Sequence, residues 1–162
     1  MKTLAFIVLS LTLLPGNARQ ENVQTKPQDQ ETVKKEIREA AAVIFQNLEK
    51  MDVEALFGSY SNSMDLIFFT TDGSIANLQE AKNHHAAWFS SLTSLKVTPL
   101  RDDFRFLPGG TVICSWIGKF EMTMMSGDKY VINQFGITFI FRKIDNAWKV
   151  IYQHSSSLPP VK

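Results

Sequence analysis

Val33, Ile37, Ala40, Ala41, Ile44 and Leu48 recur at spacings of three and four residues. That is the apolar stripe of an amphipathic helix beginning at Thr32. Lys34, Lys35, Glu36, Arg38 and Glu39 fill the rest of its early turns. After Met51, the run Asp52-Val53-Glu54-Ala55-Leu56-Phe57 predicts a short second helix that Gly58 stops. Met64 to Thr71 is apolar and rich in strand formers, and Asp72-Gly73 behind it is a turn signal. A third helix is expected from Asn77, which can cap it, with Glu80 placed to complete a capping box. Leu78, Ala81, His85, Trp88 and Leu92 share its apolar face.

From Lys96 the period becomes two. Strands are expected over 96–107, 111–125, 129–143 and 147–155. Pro108-Gly109-Gly110, Ser126-Gly127-Asp128 and Asp145-Asn146 supply the turns between them. Long strands joined by tight turns make an antiparallel meander. Helices first and strands last make a segregated α+β fold. Alternation places Val112, Cys114, Trp116, Phe120 and Met122 on the inner face of their strand. In the last strand it groups Trp148, Val150, Tyr152 and His154, and puts Lys149, Gln153 and Ser155 opposite. The strand 129–143 has an apolar row on each side, so a partner subunit is one candidate to cover the face that the helices leave.

The N-terminus follows a different logic. A basic start at Lys2, an apolar run from Leu4 to Leu14 and small residues at Gly16 and Ala18 form the pattern of a secretory signal cleaved after Ala18. Eleven residues are too few to span a bilayer as a helix. Residues 19–31 are polar and expected to be a flexible leader, with one domain over 32–157 and a tail over 158–162. The protein is therefore expected to be exported, periplasmic or secreted, with no membrane attachment after cleavage. Its 17 basic and 16 acidic residues are balanced, which argues against nucleic acid as a partner. A single cysteine, Cys114, excludes a disulfide framework, and a lone thiol in an oxidising compartment is expected to be buried.

This order of elements resembles the nuclear transport factor 2-like superfamily: a long helix, a short helix with Asp52, Ala55, Phe57 and Tyr60, a strand ending in Asp72-Gly73, a third helix and a four-strand meander. Thr138-Phe139-Ile140-Phe141-Arg142-Lys143, then Asp145 through the Trp148-Lys149-Val150 run to His154-Ser155-Ser156, resembles its SnoaL-like branch. The resemblance covers about residues 32–156. It implies a cone-shaped fold, N-terminal helices packed on a curved antiparallel sheet, with a pocket between them. Two positions depart from the branch pattern. Gly136 stands where many members carry an arginine, and Tyr152 replaces the first histidine of a His-x-His.

Within such a cone the candidate pocket residues are Tyr60, Trp88, Trp116, Tyr152 and His154, and the candidate catalytic residues are His85, His154, Asp65 and Tyr60. His85 lies on the apolar stripe of its helix, where burial would keep it neutral and able to take a proton; the alternative, a core histidine with both nitrogens satisfied, is the commoner role for such a position. His84 points about 100° away and is expected in solvent. His154 is either a pocket-rim group or a structural hydrogen-bonding residue. Asp65 is either a base or orienting group, or a turn residue. Asp102 and Asp103 point to opposite faces of a strand and form no dyad; a solvated edge is expected there. No metal site, phosphate loop, nucleophile elbow or cofactor motif is legible.

Three functions follow. The first is an exported module holding a small apolar ligand in an aromatic pocket, as a homodimer through its sheet. The second is a cofactor-free isomerase, dehydratase or cyclase using a pocket histidine. The third is a protein association module whose pocket is filled.

Overall fold

The computed structural model describes residues 27–63 and 66–162. The signal segment 1–18, residues 19–26 of the leader, and Asp65 lie outside the described residues.

Helix α1 spans Pro27–Glu49 and so starts five residues before Thr32. Proline lacks the amide hydrogen that a first turn leaves unpaired, and Asp29 in that turn suits the positive end of the helix dipole. The stretch expected as flexible leader is therefore helical from Pro27. The stripe of α1 buries Ile37, Ala41, Ile44 and Leu48, with Phe45 beside them. Helix α2, Val53–Phe57, is capped by Asp52, whose Oδ1 accepts from the Ala55 amide at 2.9 Å. Strands β1, Ile67–Phe69, and β2, Ile75–Ala76, form a small hairpin. Its turn carries Gly73 at φ +84°, in the left-handed region, and Asp72 accepts from the Ser74 amide.

Helix α3 is Leu78–Phe89, and both hydrogen bonds of the Asn77/Glu80 capping box are present. It stops where Ser90 and Ser91 turn their hydroxyls back to the Ala87 and Trp88 carbonyls. Leu92, expected on the helix face, instead opens β3, Leu92–Leu107. Strands β4, Thr111–Met124, β5, Lys129–Ile144, and β6, Ala147–Ser157, complete the meander.

The curved, unclosed sheet has the order β2-β1-β6-β5-β4-β3. All pairs are antiparallel except β1 with β6. The chain before β1 also lies along β6: the Ser61 amide donates to the Val150 carbonyl at 2.8 Å, and the Val150 amide donates to Ser59 at 3.1 Å. The helices cover the concave face. The tail returns along β5, where Val131 and Val161 exchange two backbone hydrogen bonds.

Bulges decide which side chains meet the helices. In β6, Tyr152 pairs with Ile140 while Val150 pairs with Phe141, so Ile151 is an extra residue. Each extra residue reverses the alternation beyond it. Val150 is inward before the bulge. Gln153, Ser155 and Ser157 are inward after it, and Tyr152 and His154 turn to the convex face. In β5 the pairing of Gly118 with Phe135 and of Phe120 with Ile132 has the same effect, bringing both Ile132 and Phe135 inward.

Cys114 is buried, and that burial pushes its thiol pKa up to about 12. Asp102 and exposed Asp103 lie on the edge strand β3, as expected, but Asp102 is ion-paired there. Both its oxygens accept from Arg38 of α1, at 2.7 and 2.9 Å, and the Arg38 guanidinium lies over the Phe104 ring.

Candidate functional site

Between α1, α3 and the concave sheet lies an open cavity of about 350 Å³. Its walls are Ile44, Phe45 and Leu48 of α1, Phe68 of β1, and Phe120, Phe135 and Phe139 of the sheet, with Trp88 of α3 opposite. The interior is not filled by rings, the condition that the association-module reading required. No Lys, Arg, Asp or Glu lines the cavity among the described residues. Exposed His84, Thr71 and Ser157 also line it and mark where it meets solvent. His84 thus stands at the mouth, although its helical offset does keep it from the interior.

Polar groups reach the cavity from two sides. On the sheet side, the buried Tyr60 hydroxyl donates to Oε1 of Gln153 at 2.7 Å, and Nε2 of Gln153 donates to Oγ of Ser155 at 3.0 Å. Burial raises the Tyr60 pKa far above its ordinary value, so this phenol stays protonated and donates. On the helix side, His85 lines the cavity with its Nδ1 2.8 Å from the Ala81 carbonyl oxygen. A carbonyl can only accept, so Nδ1 carries the proton and Nε2 carries the lone pair. Burial lowers the His85 pKa, which keeps the ring neutral at pH 7; the Ala81 bond opposes that shift and His84 adds to it. Phe57, Phe89 and Trp88 meet the imidazole edge to face at 5.1, 5.8 and 6.1 Å. Phe57 also lies 5.2 Å from the Tyr60 ring, so one phenylalanine separates the two polar groups.

Tyr60, Trp88 and His85 therefore lie on the cavity wall, and three other expected residues do not. Trp116 is buried beneath α1: Phe45 stacks on its indole at 4.1 Å and closes it off from the cavity. Tyr152 and His154 are on the convex face, because the bulge at Ile151 reverses their side of the strand. They flank Phe69, itself a residue of the cavity lining, at 6.0 and 5.7 Å between ring centroids. Gly136, paired with Ser156, shares that outer face, so neither departure from the family pattern alters the cavity. Gln153 and Ser155 take the inward places. Their signal in the sequence is the unbroken apolar run Val150-Ile151-Tyr152, which interrupts the alternation. Among the described residues, no three His, Cys, Asp or Glu side chains are grouped to hold a metal ion.

Residues 37–161 match the model of the SnoaL-like domain. The chain belongs to the SnoaL-like domain family. Solved structures agree with that fold. A nuclear transport factor 2-like superfamily protein from Salmonella enterica serovar Typhimurium superposes with a TM-score of 0.71 at 16% identity, over 80% of this chain and 94% of its own. A proposed scytalone dehydratase from Novosphingobium aromaticivorans gives 0.74 at 10% identity, over 83% and 90%. A proposed dehydratase of the nuclear transport factor 2-like family from Streptomyces avermitilis gives 0.69 at 13%, over 79% and 97%. At these identities the likeness is one of fold. Among curated proteins none matches the sequence. The cavity of this SnoaL-like domain combines apolar rings, the neutral imidazole of His85 and a tyrosine–glutamine–serine chain.

Proposed function

We propose that this SnoaL-like protein is exported and takes a small, uncharged, largely apolar molecule into the cavity between its helices and sheet. The observation that carries the reading is the open, ring-lined cavity of about 350 Å³ without a charged side chain among the described residues. An apolar cavity of this kind gains from removing apolar surface from water, and its few polar groups set orientation. Native mass spectrometry of the protein purified from its own source tests this. A retained small molecule supports the reading, and a mass beginning at Arg19 supports export. A chain that starts at Met1 and stays bare after exposure to a panel of neutral ring compounds overturns both parts.

A second reading rests on His85. A neutral imidazole with Nε2 uncommitted among the described contacts can take a proton from a bound molecule, the step that an isomerase, dehydratase or cyclase needs. Structural neighbours proposed as dehydratases lend it support. Incubating a retained molecule with the wild type and with His85→Gln distinguishes the two readings. Conversion by the wild type alone carries the second; no conversion by either leaves binding.

The proposal includes a homodimer through the convex sheet face, where Ile67 and Ile117 are 40% and 39% exposed. Light scattering on the eluting protein tests it, and a monomer mass at micromolar concentration would remove it.

A further inference from the structure

We infer that the ligand is a neutral, two-ring-sized compound carrying a hydroxyl group, held with that hydroxyl donating to Nε2 of His85, and that carboxylates of the same shape are excluded. The inference deepens the binding reading above and rests on it.

The helix wall sets the polarity of the site. Because Nδ1 of His85 is committed as a donor to Ala81, the tautomer is fixed and Nε2 can only accept. Among the described contacts nothing donates to it. Its neighbours are the faces and edges of Phe57, Trp88 and Phe89. A bound molecule that brings a hydroxyl proton satisfies this nitrogen. One that brings only carbon leaves it dry and unpaired, which is unfavourable in an apolar cavity.

The sheet wall has the opposite polarity. Ser155 accepts from Gln153, and its own hydroxyl proton has no acceptor among the described contacts. The cavity therefore offers an acceptor on one side and a donor on the other, both uncharged. A carboxylate would bring lone pairs toward the lone pair of His85, and no described lysine or arginine lines the cavity to balance its charge. Size limits the ligand as well. An engineered apolar cavity of about 150 Å³ holds benzene, so a space about twice that admits two fused rings.

Naphthalene, 2-naphthol and 2-naphthoate share one ring system and separate these terms. Isothermal titration calorimetry of the full chain at pH 7.5 is expected to show 2-naphthol binding roughly three- to tenfold more tightly than naphthalene, from one net hydrogen bond. 2-Naphthoate is expected to show no heat of binding. In His85→Phe, naphthalene should still bind and the preference for 2-naphthol should vanish. Should that variant not fold, nitrogen-15 spectra of the wild type labelled at histidine report directly: the Nε2 resonance of His85 should move on adding 2-naphthol and stay on adding naphthalene. Equal affinity for naphthalene and 2-naphthol, or naphthoate binding as well as the naphthol, overturns the inference and leaves the binding reading intact. Binding of none of the three overturns both.

Discussion

The Tyr60 hydroxyl donates to Oε1 of Gln153 across 2.7 Å, joining the chain after α2 to β6 at the wall of the cavity. Tyr60→Phe removes the donor and leaves a part-buried amide oxygen short of a partner. The expected cost is about 1–3 kcal/mol of stability. Urea unfolding should show a lower midpoint at unchanged slope. His154→Ala is the control: one residue further on but exposed on the outer face of β6, it should stay within about 0.5 kcal/mol of wild type.

Among the glycines described, Gly118 has the least room for a side chain, because the Trp116 ring lies against it. A Cβ added to Gly118 would fall 2.0 Å from the Trp116 ring, and Phe45 stacked on that indole leaves it nowhere to move. Gly118→Ala should therefore cost about 1–3 kcal/mol by overpacking. Thermal unfolding measures it. Adding Trp116→Leu should return part of the loss, so a strictly additive double variant would refute the steric cause.

Arg38 and Asp102 tie α1 to the outer strand β3. Hydrogen bonding to Arg38, more than its charge alone, holds the Asp102 carboxyl below its ordinary pKa. The Arg38 side chain is half exposed, so solvent screens the pair. A double-mutant cycle with Arg38→Ala and Asp102→Ala should give a coupling of under about 1 kcal/mol that shrinks further in 0.5 M salt. A coupling that salt leaves unchanged would contradict this account.

His85 makes stability depend on pH above the carboxylate range. Burial lowers its pKa in the folded protein from the ordinary 6.5. Between the two values the unfolded chain binds a proton that the folded chain does not, so acid favours unfolding. The contribution is complete above about pH 6.5 and falls away as pH drops through the folded value. Urea midpoints at about pH 7.5, 6.5 and 5.5 should decline for wild type. His85→Gln should flatten the decline, and equal slopes for the two proteins would remove His85 as its source.

The elements were legible where their signals are local. The Asn77/Glu80 box, the short helix stopped at Gly58 and the Asp72-Gly73 turn form where short-range hydrogen bonding allows them. The stripe of α1 is buried as its period requires. His85, Trp88 and Tyr60 were legible as wall residues because helix phase, or adjacency to a helix end, determines where they point. Trp116 was legible as buried but not as roofed by Phe45, since no local pattern says which aromatic of α1 meets which residue of β4. His154 and Tyr152 were misplaced for one reason, the extra residue at Ile151.

From the order of its residues alone this chain determines an α+β architecture with helices ahead of a meander, because periodicity, caps and turns act within a few residues of one another. Only the tertiary structure decides what lines the hollow. The side of β6 that faces inward beyond Ile151 depends on pairing with β5, and the open space depends on how far α1 and α3 stand off the curved sheet. Both are distances between segments remote in the chain, so the same strand could have offered a histidine to the cavity and offers a glutamine and a serine instead.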